Sequence, residues 1–415
     1  MSKVLIHGGA NLVGKVQVSG AKNAALPILA AVTMLDGKSV LSNIPRLTDI
    51  TTMVRMLRTL GIKAEHAGHT VKITNKGNCK HLIPYELVTK MRASFFISGP
   101  ILARTGFVKI PMPGGCAIGS RPVDIHLKGF AALGANIEVE HGFIDIKAKK
   151  LKGNKVRLAF PSVGATENIL MAATLAEGDT RIENAAREPE IEDLANFLNK
   201  AGAKIKGIGS EVLEIKGVAS LKGVEHAVIP DRIEAGTLLL AGAITNGDIT
   251  LSGINELHLF SLLEKMREIG IKIDIQGNEA HVVRNGPLQP VSIETLPYPG
   301  FPTDMQAQIM ALLCIVPGRS EIRETIFENR FMHTQELNRM GAHIKVKDNL
   351  AVVEGVEKLS GAPVKTTDLR AGAALWLAGL VAEGDTLIYD IEHIERGYDD
   401  LQGKLISLGA SIRKA

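Results

Sequence analysis

Residues 57–64 read LRTLGIKA. The same phrase, an apolar helix end, a glycine and the start of a strand, returns as FAALGANI (130–137), LNKAGAKI (198–205), MREIGIKI (266–273), LNRMGAHI (337–344) and LISLGASI (405–412). The glycines stand at 61, 134, 202, 270, 341 and 409, with spacings of 73, 68, 68, 71 and 68 residues. A fixed period over most of a chain marks a repeat architecture. Inside the period a second pattern recurs as AEGDTRIENA (176–185), TNGDITLSGI (245–254), PGRSEIRETI (317–326) and AEGDTLIYDI (382–391). It reads as a helix-to-strand turn, with glycine where a helix ends and the chain needs φ > 0. Each unit is therefore mixed α/β: an apolar helix, a turn, a short strand, a second helix, a small-residue pair and another strand. Solenoid repeats are usually shorter, so a unit of about 70 residues predicts a small subdomain with its own sheet. Six units make one ring or two groups of three. The length of 415 residues favours two globular halves, with Pro230-Asp231-Arg232, after HAVI (226–229), as the hinge.

The bulk composition narrows the function classes. A chain 45% apolar and 22% charged is an ordinary globular protein. A net charge of +4 with 4% aromatics offers neither a basic block nor stacking residues, so nucleic acid is not an expected partner. Three cysteines, at 79, 116 and 314, make neither a disulfide framework nor zinc-ligand spacing, and no metal is expected. The start MSKVLIHGGANLVGKV lacks a long apolar h-region, and the longest apolar stretch, AGAALWLAGLVA (371–382), is too short to span a bilayer. The expectation is a cytoplasmic protein with no membrane partner.

The first helices of the units begin VSGAKNAALP (18–27), KMRASFFISGP (90–100), PSVGATENI (161–169), PDRIEAGT (230–237), FPTDMQAQ (301–308) and TDLRAGAAL (367–375). Their apolar bodies are interchangeable; their first turns are not. The first turns carry Lys22 and Asn23, Arg92, Ser162 with Gly164, Asp231 and Arg232, Thr303 and Asp304, and Asp368 with Arg370. Helix N-termini offer unpaired N–H groups and partial positive charge, which suit phosphates and carboxylates. If the units are related by symmetry, these ends gather on one face of each half. Asn23, Thr303, Asp304 and Asp368 are also good N-cap residues, and Ser162 with Gly164 also reads as a plain helix entry. Pro27 is placed near the first turn of its helix, where proline is tolerated.

One further motif is chemical. PGGCAIGSRPVD (113–124) puts Cys116 in a turn-prone loop with Arg121 five residues on. Cys314, in ALLCIVPG, reads as a small hydrophobe, and Cys79 as a turn or strand-edge residue.

Together VSGAKNAALP, MRAS (91–94), PGGCAIGSRPVDIH (113–126), ENAAREPEI (183–191), FPTDMQAQ, ENRFMHTQEL (328–337), DLRA (368–371) and IERGYDDL (394–401) resemble the enolpyruvyl transferase family. Within it they resemble the UDP-N-acetylglucosamine 1-carboxyvinyltransferases over essentially the whole chain. The resemblance implies a two-domain inside-out α/β barrel with three mixed α/β repeats per domain and pseudo-threefold symmetry in each. The implied domains are 22–229 and 1–21 plus 230–415, with the active site in the cleft between them. The implied reaction moves the enolpyruvyl group of phosphoenolpyruvate to the 3-hydroxyl of UDP-N-acetylglucosamine and releases phosphate. No cofactor or metal is implied.

The resemblance also distributes roles. Lys22, Asn23, Arg121 and Arg396 bind phosphoenolpyruvate, whose phosphate and carboxylate call for cations. Cys116 is the general acid at the methylene carbon, and Asp304 the base near the sugar hydroxyl; Lys22 and Arg396 complete the catalytic set. Asn23, Arg92, Arg121, Pro122, Val123, Asp124, Ile125, Ser162, Val163, Gly164, Asp304 and Ile326 line the nucleotide-sugar site. Asp368 and Arg370 belong to its closed form. Relatives with cysteine in the loop are sensitive to fosfomycin, so that inhibitor is expected at Cys116. The alternatives are 3-phosphoshikimate 1-carboxyvinyltransferase, which shares fold and donor, and a non-catalytic nucleotide-sugar binder. A hydrolase or redox sensor built on Cys116 lacks a motif joining it to His126, the nearest histidine in sequence.

Overall fold

A computed structural model describes residues 2–77, 79–89, 91–112, 123–284 and 286–415, and of Arg92 the backbone alone. The protein is mixed α/β, with six small sheets among the described residues. One sheet shows the plan. Ser292–Glu294 lies parallel to Arg319–Arg323, which pairs antiparallel with Leu350–Glu354, itself antiparallel to His343–Lys347. The chain runs from the parallel edge strand through a buried helix to the second strand. A second helix leads to the far edge, and a hairpin then fills the gap.

Val13–Gln17, Asp248–Ser252, Glu279–Arg284 and Ile271–Gln276 repeat this order. Lys155–Arg157, Asp179–Glu183, Val212–Lys216 and Lys204–Lys206 do so again. Pro363–Lys365, Asp385–Tyr389, Lys3–His7 and Ser411–Lys414 make a fourth copy, in which the N-terminal strand fills the hairpin slot beside the C-terminal one. In a fifth, Leu221–Lys222 and Glu225–Ala227 share the parallel edge of Leu35–Ser42. In the sixth, a single Leu82–Lys109 bridge replaces the edge strand.

The recurring glycines have one backbone reason. Gly61, Gly134, Gly202, Gly270, Gly341 and Gly409 end the second helices with φ of 93°, 90°, 108°, 100°, 89° and 104°. That region costs an L-residue roughly 1 kcal/mol or more, so glycine keeps the turn free of strain.

The described residues form two compact units, one of residues 2–19 and 230–415, the other of residues from 20 to 229. Each has its own core. In the first, helices Arg232–Ile244, Gln306–Leu313 and Leu369–Val381 are buried along nearly their whole length. In the second, Lys22–Ala31 and Val163–Thr174 are buried in the same way. Helices apolar all round belong in a core, with sheets carrying the polar outer face. No helix among the described residues is long and apolar enough to cross a membrane.

Candidate active site

One register runs through the helix starts and takes in a singled-out residue in five of the six repeats. Asn23, Arg92, Gly164, Ile233, Asp304 and Arg370 each stand fourteen residues ahead of a turn glycine, at 37, 106, 178, 247, 318 and 384 respectively. The repeat therefore places one residue per unit at the same point of the core-helix entry.

In the first unit two of these residues meet. Asp304 follows Thr303 in the single 3-10 turn Thr303–Met305 that leads into helix Gln306–Leu313. Its Oδ2 accepts from Arg370 Nη2 at 3.1 Å, and its Oδ1 accepts from Arg330 Nη2 at 2.8 Å. Both arginines are buried, whereas the Asp304 side chain keeps 28% of its surface open. The carboxyl group is thus paired with two guanidinium groups, oriented through both oxygens and still reachable. Arg370 also lies over the Tyr398 ring, 5.6 Å from its centroid. Burial alone would lower the pKa of Arg370, but Asp304, Tyr398 and Asp231 outweigh it and the net shift is upward.

Beneath the pair runs a polar chain. Gln308 Nε2 donates to the Asp304 carbonyl at 2.8 Å and to Tyr398 Oη at 3.1 Å. Thr237 gives its own proton to the Ile233 carbonyl, so at 3.0 Å it accepts from Tyr398. Burial first, against Arg370 and these hydrogen bonds, pushes the Tyr398 phenol up. His333 is fully buried near Asp368 and Arg330, and burial is the main cause that pushes its imidazole down to about 4.

Capping divides the candidate residues. Asp368 caps its helix through the amides of Arg370 and Ala371, at 2.8 and 3.1 Å, and Asp231 caps another through Ile233 and Glu234, at 2.8 and 3.0 Å. Thr303 and Asp304 do not cap; their side chains go to Glu324 and to the arginines. Ile326 is fixed by its amide, which donates to Glu324 Oε1 at 2.8 Å. Arg396 is half-buried at the C-terminal end of the short helix Glu392–Glu395. Gly397 beside it packs so closely on Leu369 that a Cβ would come within 2.3 Å of that side chain. The Arg396–Tyr398 turn therefore lies against the helix entry that carries Arg370.

In the second unit a buried amide joins three segments. Asn168 Nδ2 donates to the Phe95 carbonyl at 3.1 Å and to His126 Nδ1 at 3.0 Å, while its Oδ1 accepts from Gly99 N at 2.9 Å. His126 Nδ1 is then the acceptor, and Nε2 carries the proton. Phe95 meets the His126 ring edge-on at 5.1 Å. Ser162 caps helix Val163–Thr174 through Ala165 N at 3.4 Å. A Cβ on Gly164 would lie 3.0 Å from Phe96 and 3.2 Å from His126. Ser162, Val163 and Gly164 thus stand beside the helix start that carries Val123, Asp124 and Ile125, all half-buried. Asp124 pairs with Lys128 at 3.1 Å.

Lys22 opens helix Lys22–Ala31 and faces Asp49 at 3.6 Å. Pro27 is the sixth residue of that helix, beyond the first turn where the sequence reading puts it. Its ring has no N–H to give the Asn23 carbonyl, which loosens the ladder at the site residue itself. Cys116, Arg121 and Pro122 lie outside the described residues, as does the side chain of Arg92.

Sequence reasoning missed Arg330, Asp49, Glu324, Tyr398 and Asn168. Arg330 and Tyr398 sit inside motifs already noticed, ENRFMH and RGYDD. Counting back from the turn glycines would have found Asn23, Arg92, Gly164, Asp304 and Arg370 at once. Among the described residues no cluster of three or more His, Cys, Asp or Glu is arranged to hold a metal ion.

Comparison with known proteins puts this geometry in context. Residues 6–405 match the family model described as EPSP synthase (3-phosphoshikimate 1-carboxyvinyltransferase). The chain is 56% identical over 421 residues to UDP-N-acetylglucosamine 1-carboxyvinyltransferase 2 of Carboxydothermus hydrogenoformans, covering 100% of this chain and 99% of the relative. It is 52% identical over 414 residues to UDP-N-acetylglucosamine 1-carboxyvinyltransferase of Halothermothrix orenii, covering 100% of both. Among solved structures, the enolpyruvyl transferase NikO from Streptomyces tendae superimposes with a TM-score of 0.91 at 25% identity, covering 100% of this chain and 99% of that one. EPSP synthase from Acinetobacter baumannii superimposes with a TM-score of 0.77 at 18% identity, covering 100% of both, which bears on fold alone. The chain belongs to the EPSP synthase family of enolpyruvyl transferases, among its UDP-N-acetylglucosamine 1-carboxyvinyltransferases.

Proposed function

We propose that this protein transfers the enolpyruvyl group of phosphoenolpyruvate to the 3-hydroxyl of UDP-N-acetylglucosamine, releasing phosphate, in the first committed step of peptidoglycan synthesis. Full-length identity of 52–56% to proteins of that activity carries the reading. The family model bears the name of the shikimate enzyme, but the EPSP synthase structures share only 18% of residues with this chain.

The chemistry asks for four things. A proton must reach the methylene carbon while the sugar oxygen adds to the adjacent carbon, giving a tetrahedral phospholactoyl ketal. The C–O bond to phosphate then breaks, and a proton leaves the new methyl group to restore the vinyl group. Cys116 is assigned the acid and Asp304 the base. A carboxylate held through both oxygens by Arg330 and Arg370 is in the right form to accept the hydroxyl proton. Lys22, Arg121 and Arg396, with Asn23, are assigned the phosphate and carboxylate of the donor. Arg92, Arg121–Ile125, Ser162–Gly164, Asn23, Asp304 and Ile326 are assigned the nucleotide sugar. The helix N-termini at Ser162 and Val123 suit its diphosphate.

The architecture that goes with this reading is an inside-out α/β barrel, three repeats to a domain, with domains 22–229 and 1–21 plus 230–415. Both substrates belong to the cytoplasm, and fosfomycin is the inhibitor assigned to Cys116. One assay tests the function: phosphate release from phosphoenolpyruvate. Release that depends on UDP-N-acetylglucosamine and not on shikimate 3-phosphate is expected; release with shikimate 3-phosphate alone overturns the reading.

A further inference from the structure

Glu324 is 3% exposed and directly follows strand Arg319–Arg323. Its Oε1 accepts from Thr295 Oγ1 at 3.0 Å, Ile326 N at 2.8 Å and Phe327 N at 3.1 Å, and its Oε2 accepts from Thr303 Oγ1 at 2.9 Å. Four donors balance a buried carboxylate that pairs with no cation among the described residues. Burying a carboxylate is costly unless donors replace its water, and here three donors meet Oε1 and one meets Oε2.

Four of the other repeats build this turn in another way. Asn43, Asn184, Gly253 and Asp390 follow the corresponding strands with φ of 55°, 55°, 77° and 59°, so the backbone itself makes the corner. Glu324 stays out of the left-handed region, and its side chain makes the corner instead. The repeat that departs from these four by a side-chain corner is the one that carries Asp304 and Ile326.

We propose that Glu324 is a positioning residue for the transfer reaction: its two oxygens tie the helix entry of Asp304, through Thr303, to the loop of Ile326. The proposal rests on the roles assigned above to Asp304 as base and Ile326 as nucleotide-sugar contact. One oxygen sets the loop that meets the nucleotide sugar, and the other sets the turn that aims the base. The same loop leads on to Arg330, so both ends of the Asp304–Arg330 pair hang from one carboxylate.

The test is steady-state kinetics of Glu324→Ala, Glu324→Gln, Thr303→Val and Asp304→Ala in the full-length protein, with melting temperatures measured alongside. Glu324→Ala should lower kcat by about 10- to 100-fold, the cost of a misplaced catalytic group. It should raise KM for UDP-N-acetylglucosamine and leave KM for phosphoenolpyruvate nearly unchanged. Glu324→Gln keeps an oxygen for the two amides and turns its NH₂ to Thr303, whose hydroxyl can accept; it should recover most of the loss. Thr303→Val, which preserves shape if Glu324→Ala fails to fold, should lower kcat with little change in either KM. A dead Asp304→Ala beside wild-type kcat and KM in Glu324→Ala, Glu324→Gln and Thr303→Val, with only melting temperatures lowered, overturns the proposal. A fully active Asp304→Ala removes the reading beneath it.

Discussion

Asp304 and Arg370 hold the same position in consecutive repeats, each fourteen residues ahead of a turn glycine, and they bind each other at 3.1 Å. A position that is a glycine in one repeat and an isoleucine in another has become an ion pair here. Arg330 takes the second oxygen of Asp304 at 2.8 Å, so the carboxylate lies between two buried guanidinium groups. Asp304→Asn keeps the shape and removes the base. Its kcat should fall by about 10²–10⁴, the range for general-base catalysis. Stability should fall as well, by about 3–5 kcal/mol, since the amide removes the charge that two buried guanidinium groups pair with and accepts from only one of them. Activity within a few-fold of wild type in a folded Asp304→Asn protein would remove Asp304 from the base role.

Asn168 makes a different prediction, about binding. Its amide joins Phe95, Gly99 and His126. Asn168→Ala leaves a buried carbonyl, a buried amide and a buried ring nitrogen without their partner, at a cost of about 1–3 kcal/mol for each unmet group. The helix starts around Ser162 and Asp124 lose their common brace. KM for UDP-N-acetylglucosamine should rise more than KM for phosphoenolpyruvate. Calorimetric titration with the nucleotide sugar measures this directly, and unchanged affinity in a folded variant would count against it.

How much of this was legible beforehand depends on whether a residue answers to its own repeat or to a distant one. The six glycines, the strand order and the special helix starts follow local rules that each unit obeys, so period and turn chemistry reveal them. Asn168 obeys no such rule. In ATENILMAA it is a polar interruption of an apolar helix, and nothing local says that its amide reaches Phe95, 73 residues back. Glu324 reads as an ordinary solvated strand end, because its burial is set by Thr295 and Thr303 on two other segments. Asp304 was legible as special, yet its candidate role as a cap fails because it lies inside the turn Thr303–Met305, past the cap position at Pro302, and its oxygens go to two guanidinium groups.

Glu167 sets a pH dependence. It is fully buried, neither carboxyl oxygen has a hydrogen-bond partner among the described residues, and burial first, then Glu190 and Glu188, push its carboxyl well above the usual range. The folded protein thus holds a proton that the unfolded chain, with a carboxyl near 4.5, releases. The stability it lends is full below that value and is lost as pH rises toward the folded pKa. Glu167→Gln removes the titration. Its melting temperature should match wild type near about pH 4 and exceed it increasingly toward about pH 8. Parallel curves would show that Glu167 does not titrate across folding.

His333 works in the opposite direction. Burial is the main force holding its imidazole down to about 4, against an unfolded value of 6.5, with Asp368 opposing and Arg330 adding to the shift. Its Nε2 is buried without a hydrogen-bond partner among the described residues. Here the unfolded chain binds the proton and the folded protein refuses it. Stability is full above 6.5 and drains as pH falls toward 4. His333→Gln should flatten the melting-temperature curve between those limits, whatever its absolute stability. An equally steep curve would assign the acid sensitivity to other groups.

The three thiols should separate cleanly in a labelling experiment. Cys314 is fully buried, and burial pushes its thiol up to about 12. Cys79 is half-buried, and burial pushes it up to about 11, with Arg104 opposing. At about pH 8 such thiols are ionised to only about one part in a thousand or less, and the thiolate is the reactive form. Fosfomycin or a small alkylating agent should therefore modify the native protein once, at Cys116, and peptide mass spectrometry would locate the adduct. Modification at Cys79 or Cys314 with activity retained would contradict this. Cys116→Asp should escape the inhibitor and remain active, because a carboxyl held protonated can deliver the same proton as the thiol. A Cys116→Asp protein that folds and binds UDP-N-acetylglucosamine but makes no product would deny Cys116 the role of proton donor.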